Sequence, residues 1–515
     1  AVGEIPVVDP AGIVSDGRRL LVVSGTRVVA LGPGTQETIP VATTNLAAPI
    51  GLALDSRGRI YVSDWADQMC VKVFNPDGSY LKTIGRVGGR PWVGDYDPSG
   101  MLLPRGITVD ARDRLWVAEF DFSPRRVSCW DTDTGELIME KLGKARYGGM
   151  GYYVLPDRPD RGIVNNNLVE LDWTRGRWRV VSTLWRATRE HESIGADPYL
   201  RFGRIIERDS RRYLVHGMAR PQGGATVISE LRGNRAVPVA AYGDCLTAIH
   251  HKAAQETGGQ DPDPVFAKHL YTAPVAQEAA EALFSWFFHG PRAGDVRALA
   301  YAKGRVAVWR RAVKLGVDHG NEQPKSQGRP NMNFMWSDLN GDAVVQEAEM
   351  RYFATPGLDG PLPDKWGTET WANGVVDDDF TLYASAIQDG RAYHYRVPVS
   401  RWTDARVPVY EPERIELITD SPYMGQAAWI IGDGHLLTLG NIPSQTLPGR
   451  QRDPLVVYRP DGSIAWTWPS PWTGVHGSHT APKEKRGRLV GPLGVIGEAA
   501  LEDVGEIFAF HTNVG

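Results

Sequence analysis

The sequence predicts an all-β chain: a β-propeller of about seven or eight blades carrying a helical insertion. Three observations lead there. A phrase recurs, as GLALDSRGRIYVSDWADQMCVKVFNPDGSYLKTIG from Gly51 to Gly85 and as RGITVDARDRLWVAEF from Arg105 to Phe120. Its text is short strand runs divided by tight polar turns, Asn75-Pro76-Asp77-Gly78 being the strongest turn signal. A propeller of about six to eight blades also uses most of a 515-residue chain.

Taken in order, the first unit runs from about Pro10 to Pro40, with strands in GIVSDGRRLLVVS (Gly12–Ser24) and at Arg27–Leu31. The second has strands at Gly51–Leu54, Arg59–Ser63 and Val71–Phe74. The third starts at Gly106 and turns at Asp131–Gly135. Between them, Arg86–Leu103 is rich in Gly and Pro and reads as an inserted loop. Strand groups follow at Tyr152–Leu155, Leu168–Leu171, Trp178–Ser182, Gly203–Glu207, Arg212–Val215, Ala225–Glu230 and Ala236–Ala240. Their imperfect alternation fits strands covered on both faces.

The rhythm breaks after that. Cys245–Glu256 and Val275–Phe288 read as helices, the second with Ala and Glu outside and Leu283, Phe284, Phe287 and Phe288 gathered toward its end. Residues 241–296 are therefore read as a helical insertion and 331–354 as a calcium-binding-like loop insertion, both within a propeller spanning 1–515. Strand text resumes at Val296–Trp309 and later at Gly374–Tyr383, Arg391–Val397, Ala427–Leu439 and Leu455–Trp466. The last contains YRPDGSIAW, an echo of VFNPDGSYL. The chain opens Ala-Val-Gly, consistent with processing or trimming, and a final strand at Gly505–Phe510 leads to HTNVG. The two ends either share a blade, which removes an open edge, or the natural chain continues past Gly515.

Charge is nearly balanced, 57 basic residues against 61 acidic, and scattered. That removes the usual case for a nucleic-acid or anionic-membrane partner. No apolar run reaches about 18 residues, so no transmembrane helix is expected. Cys70, Cys129 and Cys245 form neither a zinc pattern nor a disulfide scaffold. The first two are buried thiols or a bridge between blades. The 17 tryptophans either pack between blades or offer stacking platforms for a carbohydrate or small ligand.

The units at Gly51–Gly85 and Arg105–Gly143 resemble NHL-type repeats. The matching features are Gly51 and Gly106 at the strand start, Asp55 and Asp110 after the first strand, Ile60–Asp64 and Leu115–Glu119 in the second, and the 75–78 turn. The resemblance covers about a fifth of the chain and implies a fold shared by scaffold and binding proteins and by enzymes with metal-containing channels. The stretch GSHTAPKEKRGRLVGPLGVIGEA, Gly477–Ala499, resembles text of exported bacterial propellers and implies a secreted or periplasmic location.

The most specific local motif is DLNGDAVVQEAE, Asp338–Glu349, which resembles an EF-hand or dockerin-type calcium loop. Calcium takes six to eight oxygens. Asp338, Asn340 and Asp342 supply them at positions 1, 3 and 5, and Val344 offers its carbonyl at 7. Gln346 stands at 9 and Glu349 at 12, and Gln346–Tyr352 reads as the exiting helix. Position 6, normally Gly, is Ala343, at a cost of roughly 1–2 kcal/mol. The other reading is a plain acidic surface turn.

Other chemistry rests on scattered side chains. His476 and His479 lie three apart between glycines and, with His511, form a candidate site for zinc, copper or iron. His216 is a candidate channel residue, and otherwise a packed, hydrogen-bonded one. Glu369, between Trp366 and Trp371, is a candidate general acid in a carbohydrate cleft. Asp377, Asp378 and Asp379 read as a turn. The haem, P-loop, dinucleotide and nucleophile-elbow signatures are missing. Two functions follow. One is an exported binding or scaffold component of a larger assembly, with a protein partner or second chain. The alternative is a metal-dependent lyase, hydrolase or oxidoreductase with a histidine-centred channel site.

Overall fold

A computed structural model describes residues 6–32, 37–120, 124–143, 152–155, 157–164, 166–185, 201–217, 225–244, 333–353, 355–358, 375–388, 391–423, 426–431, 433–439, 455–468, 490 and 492–512. The chain forms two compact units, Ala1–Met150 with Val154–Arg186, and Gly151–Tyr153 with Ala187–Gly515. Among the described residues the secondary structure is β-strand apart from two short 3-10 turns, and no helix is long and apolar enough to cross a membrane.

In the first unit, β1 (Pro10–Ser15), β2 (Leu20–Ser24), β3 (Arg27–Leu31) and β4 (Thr38–Ala42) form an antiparallel meander. A second follows in β5 (Pro49–Leu54), β6 (Ile60–Asp64), β7 (Cys70–Phe74) and β8 (Tyr80–Ile84). After β9 (Gly94–Asp95), a third is built by β10 (Pro104–Val109), β11 (Arg114–Glu119), β12 (Arg125–Asp131) and β13 (Leu137–Gly143). The fourth sheet has β14 (Tyr152–Leu155), β15 (Arg158–Val164), β16 (Asn167–Asp172) and β17 (Arg177–Thr183), with β9 added at its edge.

The first three sheets stack face to face in chain order. Leu21, Val23, Val28 and Ala30 pack with Leu52, Ile60, Val62 and Phe74. On the other face of the second sheet, Tyr61, Val71, Val73 and Ile84 pack with Leu115, Val117 and Trp130. Strand period two explains this: Ile60 and Val62 face backward, Tyr61 forward, and β6 is buried throughout. The first strands also approach closely. A Cβ on Gly51 would lie 2.4 Å from the Arg105 carbonyl oxygen, so the glycine at the strand start is a packing requirement.

In the second unit, β18 (Arg201–Arg208), β19 (Arg211–Gly217), β20 (Ala225–Arg232), β21 (Arg235–Asp244), β22 (Asn333–Ser337) and β23 (Met350–Phe353) form a six-stranded sheet. A four-stranded sheet follows from β24 (Val375–Val376), β25 (Leu382–Gln388), β26 (Arg391–Val397) and, after the hairpin β27 (Arg401–Trp402) and β28 (Pro408–Val409), β29 (Glu416–Ser421). The last sheets are the meander β30 (Gln426–Ile430), β31 (Leu436–Leu439), β32 (Leu455–Tyr458), β33 (Ile464–Trp468), and the hairpin β34 (Pro492–Leu501), β35 (Gly505–Thr512). They too stack in sequence. Tyr213 and Val215 pack with Leu382 and Tyr395, Tyr383 with Leu436 and Tyr458, and Leu437 and Val457 with Val495 and Phe510.

The tight outer turn recurs in both units. Gly78 and Gly462 have φ of +85° and +84°. A Cβ on the first would lie 1.8 Å from the Val41 carbonyl oxygen, and on the second 2.2 Å from that of Ile418. Each turn is thus seated on the fourth strand of the preceding sheet, and the echo between NPDGS and RPDGS is an echo in packing.

Residues 241–244 of the expected helical insertion complete β21. The remainder, with both expected helices, lies outside the described residues, in the connection between the paired strands β21 and β22. Cys70 and Cys129 are free and buried, which settles them as thiols. Cys245 lies outside the described residues.

Candidate functional site

The acidic loop is the tip of a β-hairpin. β22 and β23 pair with Trp336 opposite Met350, and the loop from Asp338 to Glu349 joins them. This corrects the exiting helix expected over Gln346–Tyr352. Only Glu347–Glu349 is a 3-10 turn, and Met350–Phe353 is strand. The ladder to Asn333–Ser337, with Trp336 and Met350 buried, outweighs the helical propensity of the QEAEM text.

Inside the loop N–H donors hold the carboxylates. Asp338 is fully buried. Its Oδ1 accepts from the Gly341 amide at 2.9 Å and its Oδ2 from that of Ala343 at 3.0 Å. Glu349 reaches back from the far end. Its Oε1 accepts from the Leu339 amide at 2.8 Å, and its Oε2 from the Trp336 indole Nε1 at 2.9 Å. Asp342 accepts from the Val344 amide at 2.8 Å and from Gln346 Nε2 at 2.8 Å, and Asn340 Oδ1 accepts from the Asp342 amide at 3.0 Å. Ala343 has a φ of 59°, the left-handed conformation expected of position six.

Burial pushes both Asp338 and Glu349 above the usual carboxylate range, and each is further raised by a neighbouring carboxylate, Asp342 and Asp338 respectively. Among the described residues no cationic side chain pairs with them. An all-oxygen donor set with buried acids fits a hard divalent cation. Among the described residues, though, no three His, Cys, Asp or Glu side chains converge tightly enough to define a metal centre. Amide donors hold the carboxylate oxygens.

The histidine candidates divide. His216 is buried on β19, and its Nε2 lies 2.7 Å from Ser229 Oγ, so it is packed and hydrogen-bonded. His511 belongs to β35 by its backbone. His476, His479 and Glu369 lie outside the described residues, as do Trp366 and Trp371. Sequence reasoning missed His394. It is fully buried on β26, with Nδ1 2.8 Å from Ser385 Oγ directly across the ladder, and its ring lies against Tyr458. Burial pushes its pKa down to about 3, so the ring is neutral, and its Nε2 has no partner among the described residues. The text RAYHYRV carried no signal beyond the strand itself.

Other acids at strand ends hold the framework. Asp64, fully buried at the end of β6, accepts from the amides of Ala47 and Ala48, the latter at 2.7 Å. Glu119, at the end of β11, accepts from the Leu102 amide at 3.1 Å and from Arg90 and Arg126. At the opposite strand end one device occurs three times. Asp55 binds the amides of Arg57 and Arg59 and the Tyr61 hydroxyl; Asp110 binds those of Arg112 and Arg114 and the Trp116 indole. Asp377 binds the amides of Asp379 and Thr381 and the Tyr383 hydroxyl.

No family model matches the chain, and no curated protein matches it. Similar solved structures include a nidogen/laminin complex, at 14% identity over 45% of this chain and 80% of that one, TM-score 0.22. A hydrazine synthase of Kuenenia stuttgartiensis is 19% identical over 46% and 69%, TM-score 0.21. Virginiamycin B lyase of Staphylococcus aureus is 14% identical over 46% and 78%, TM-score 0.21. Their functions differ, and likeness at this level assigns none of them to this chain.

Proposed function

We propose that this chain is a propeller-type binding or scaffold protein in which the Asp338–Glu349 hairpin is a calcium staple. The observation that carries the reading is where the described ionisable groups go. Asp64, Glu119 and His216 hold a linker, an inserted loop and a neighbouring strand by bonds inside the fold, and His394 is buried against Ser385 through its Nδ1. The row of stacked sheets, with turn glycines seated alike in both units, supports blades, and the expected seven or eight belong to this reading.

Asp338, Asn340, Asp342, Gln346 and Glu349, with the Val344 carbonyl, are the residues that would hold calcium. The ion would neutralise two carboxylates that burial disfavours. Left-handed Ala343 makes a weak site, suited to the higher calcium levels met by exported modules, in keeping with a secreted or periplasmic location.

The test is thermal unfolding with calcium or with a chelator. Calcium at about 100 times its Kd stabilises by about 2.7 kcal/mol, so Tm rises by several degrees. The Asp338→Asn/Glu349→Gln double variant loses the rise. An equal Tm with calcium and chelator removes the staple.

A further inference from the structure

We infer that the outer edge of β35, together with Trp466 and Trp468 of the neighbouring sheet, is the docking surface for a β-hairpin of a partner protein. The partner strand that joins β35 is basic at its C-terminal end. The inference rests on the binding reading proposed above, not on its calcium staple, and gives that reading a surface.

The last sheet is short. The stacked sheets before it have four to six strands, whereas β34 and β35 stand as two. They pair from Leu501 opposite Gly505 to Pro492 opposite Thr512, and among the described residues no strand joins the other side of β35. Gly505, Glu506, Ile507 and Ala509 are exposed. Such an edge offers a row of backbone N–H and C=O groups to an incoming strand.

The sheet packed on this hairpin is left partly uncovered. Phe508 and Phe510 pack against Leu437, Leu455 and Val457. On β33, Trp468 lies opposite Leu455 and Trp466 opposite Val457, so both indoles share that face. They are nevertheless 45% and 40% exposed. In the first unit the corresponding place is filled. Ile84 of β8, a fourth strand, is fully buried in a cluster that includes Leu137 of β13, the fourth strand of the following sheet. Trp466 and Trp468 therefore face the positions of a third and fourth strand that β34 and β35 lack, and Trp is a residue type that dominates binding energy at interfaces.

Charge names the occupant. Glu502, Asp503 and Glu506 are exposed at the tip of the β34–β35 hairpin, and among the described residues no cation pairs with them. An antiparallel strand beside β35 ends at that tip, so Lys or Arg at its C-terminal end meets three carboxylates. A second copy's β35 does not fit, because it brings its own β30–β33 sheet to the side where β32 and β33 already stand.

Hydrogen exchange of the full chain, read by mass spectrometry, tests this with a synthetic Leu455–Trp468 peptide as the probe. That peptide is the third and fourth strand of the preceding sheet, and its Arg459 follows Tyr458, the residue opposite Leu436 at the start of β31. Set beside β35 in the same way, it places Arg459 next to Glu506. In the chain alone 505–512 exchanges about tenfold faster than 60–64 of β6. Saturating peptide slows exchange about tenfold in 505–512 and leaves 60–64 unchanged. The exposed pairs Glu502→Lys/Glu506→Lys and Trp466→Ser/Trp468→Ser each weaken the peptide about tenfold. The inference is overturned if 505–512 is as protected as 60–64 in the chain alone, which means that its own segments cover the edge. It is also overturned if such protection fades on dilution, which means that a second copy does, or if peptide at about millimolar concentration leaves 505–512 unchanged. Each of these failures leaves the calcium-dependent Tm as it is, which keeps the two readings apart.

Discussion

Asp55 shows how a single side chain serves the fold. Its carboxylate is fully buried, lies 2.5 Å from Arg59 Nε and accepts from the Tyr61 hydroxyl at 3.1 Å. Asp55→Ala leaves Arg59 only its bond to exposed Asp133 and strips the acceptor from two amides and the buried Tyr61 hydroxyl, and urea unfolding should show a loss of about 1–3 kcal/mol. His394 makes a second case. Its folded pKa, about 3, lies below the unfolded value, so acid favours the unfolded chain. Stability should fall by about 1.4 kcal/mol per pH unit as pH drops below about 6.5, until about 3. His394→Gln should remove that slope, and urea titrations at several pH values read it. The first two Asp devices were legible because Gly51 and Asp55 recur as Gly106 and Asp110. The third was not. Asp377 was read as a turn, which it is, but Thr381 stands where the other two carry arginine, and Phe380 takes the positive φ of Gly58.

Elements were legible where turn chemistry and strand period agreed. Tyr152–Leu155 is a strand as read, and Arg86–Leu103 is an inserted loop, although its two-residue strand at Gly94–Asp95 left no trace in the text. The acidic loop was legible in its residue types and in the strain at Ala343, but not in its exit. The choice between helix and strand for Met350–Phe353 is made by the partner strand β22, which local text does not contain. Turn glycines give the sharpest prediction at this scale. Gly78→Ala and Gly462→Ala each force a Cβ into the preceding sheet's backbone and should cost more than about 2 kcal/mol in denaturant unfolding. Gly176→Ala is the control. It has a φ of +58° with open space around it, and should cost only about 1–2 kcal/mol. Equal losses at all three would mean that the turns are not seated as described.

At the scale of the whole molecule, the all-β sheets were legible because the repeat phrase and the outer turn return across the chain. Function was less so, because a fold does not name its site, and His476, His479 and Glu369 have no sequence neighbours that fix their geometry. The proposed staple also sets a pH dependence. Burial raises the pKa of Asp338 and Glu349, so the folded protein binds protons there more tightly than the unfolded chain does. Metal-free protein therefore loses this pair's contribution as pH rises from the ordinary carboxylate range through the raised values, and calcium at the proposed site should offset the loss. Calcium affinity should fall with acid, beginning above the ordinary carboxylate range, as calorimetric titration at several pH values would show.

The most direct measurement is the metal content of protein purified without added metal and exhaustively dialysed, read by elemental mass spectrometry. A structural staple in a binding protein predicts calcium near one ion per chain, lost in the Asp338→Asn/Glu349→Gln variant, with no transition metal. Stoichiometric zinc, copper or iron would contradict it and make a histidine-centred active site the better account.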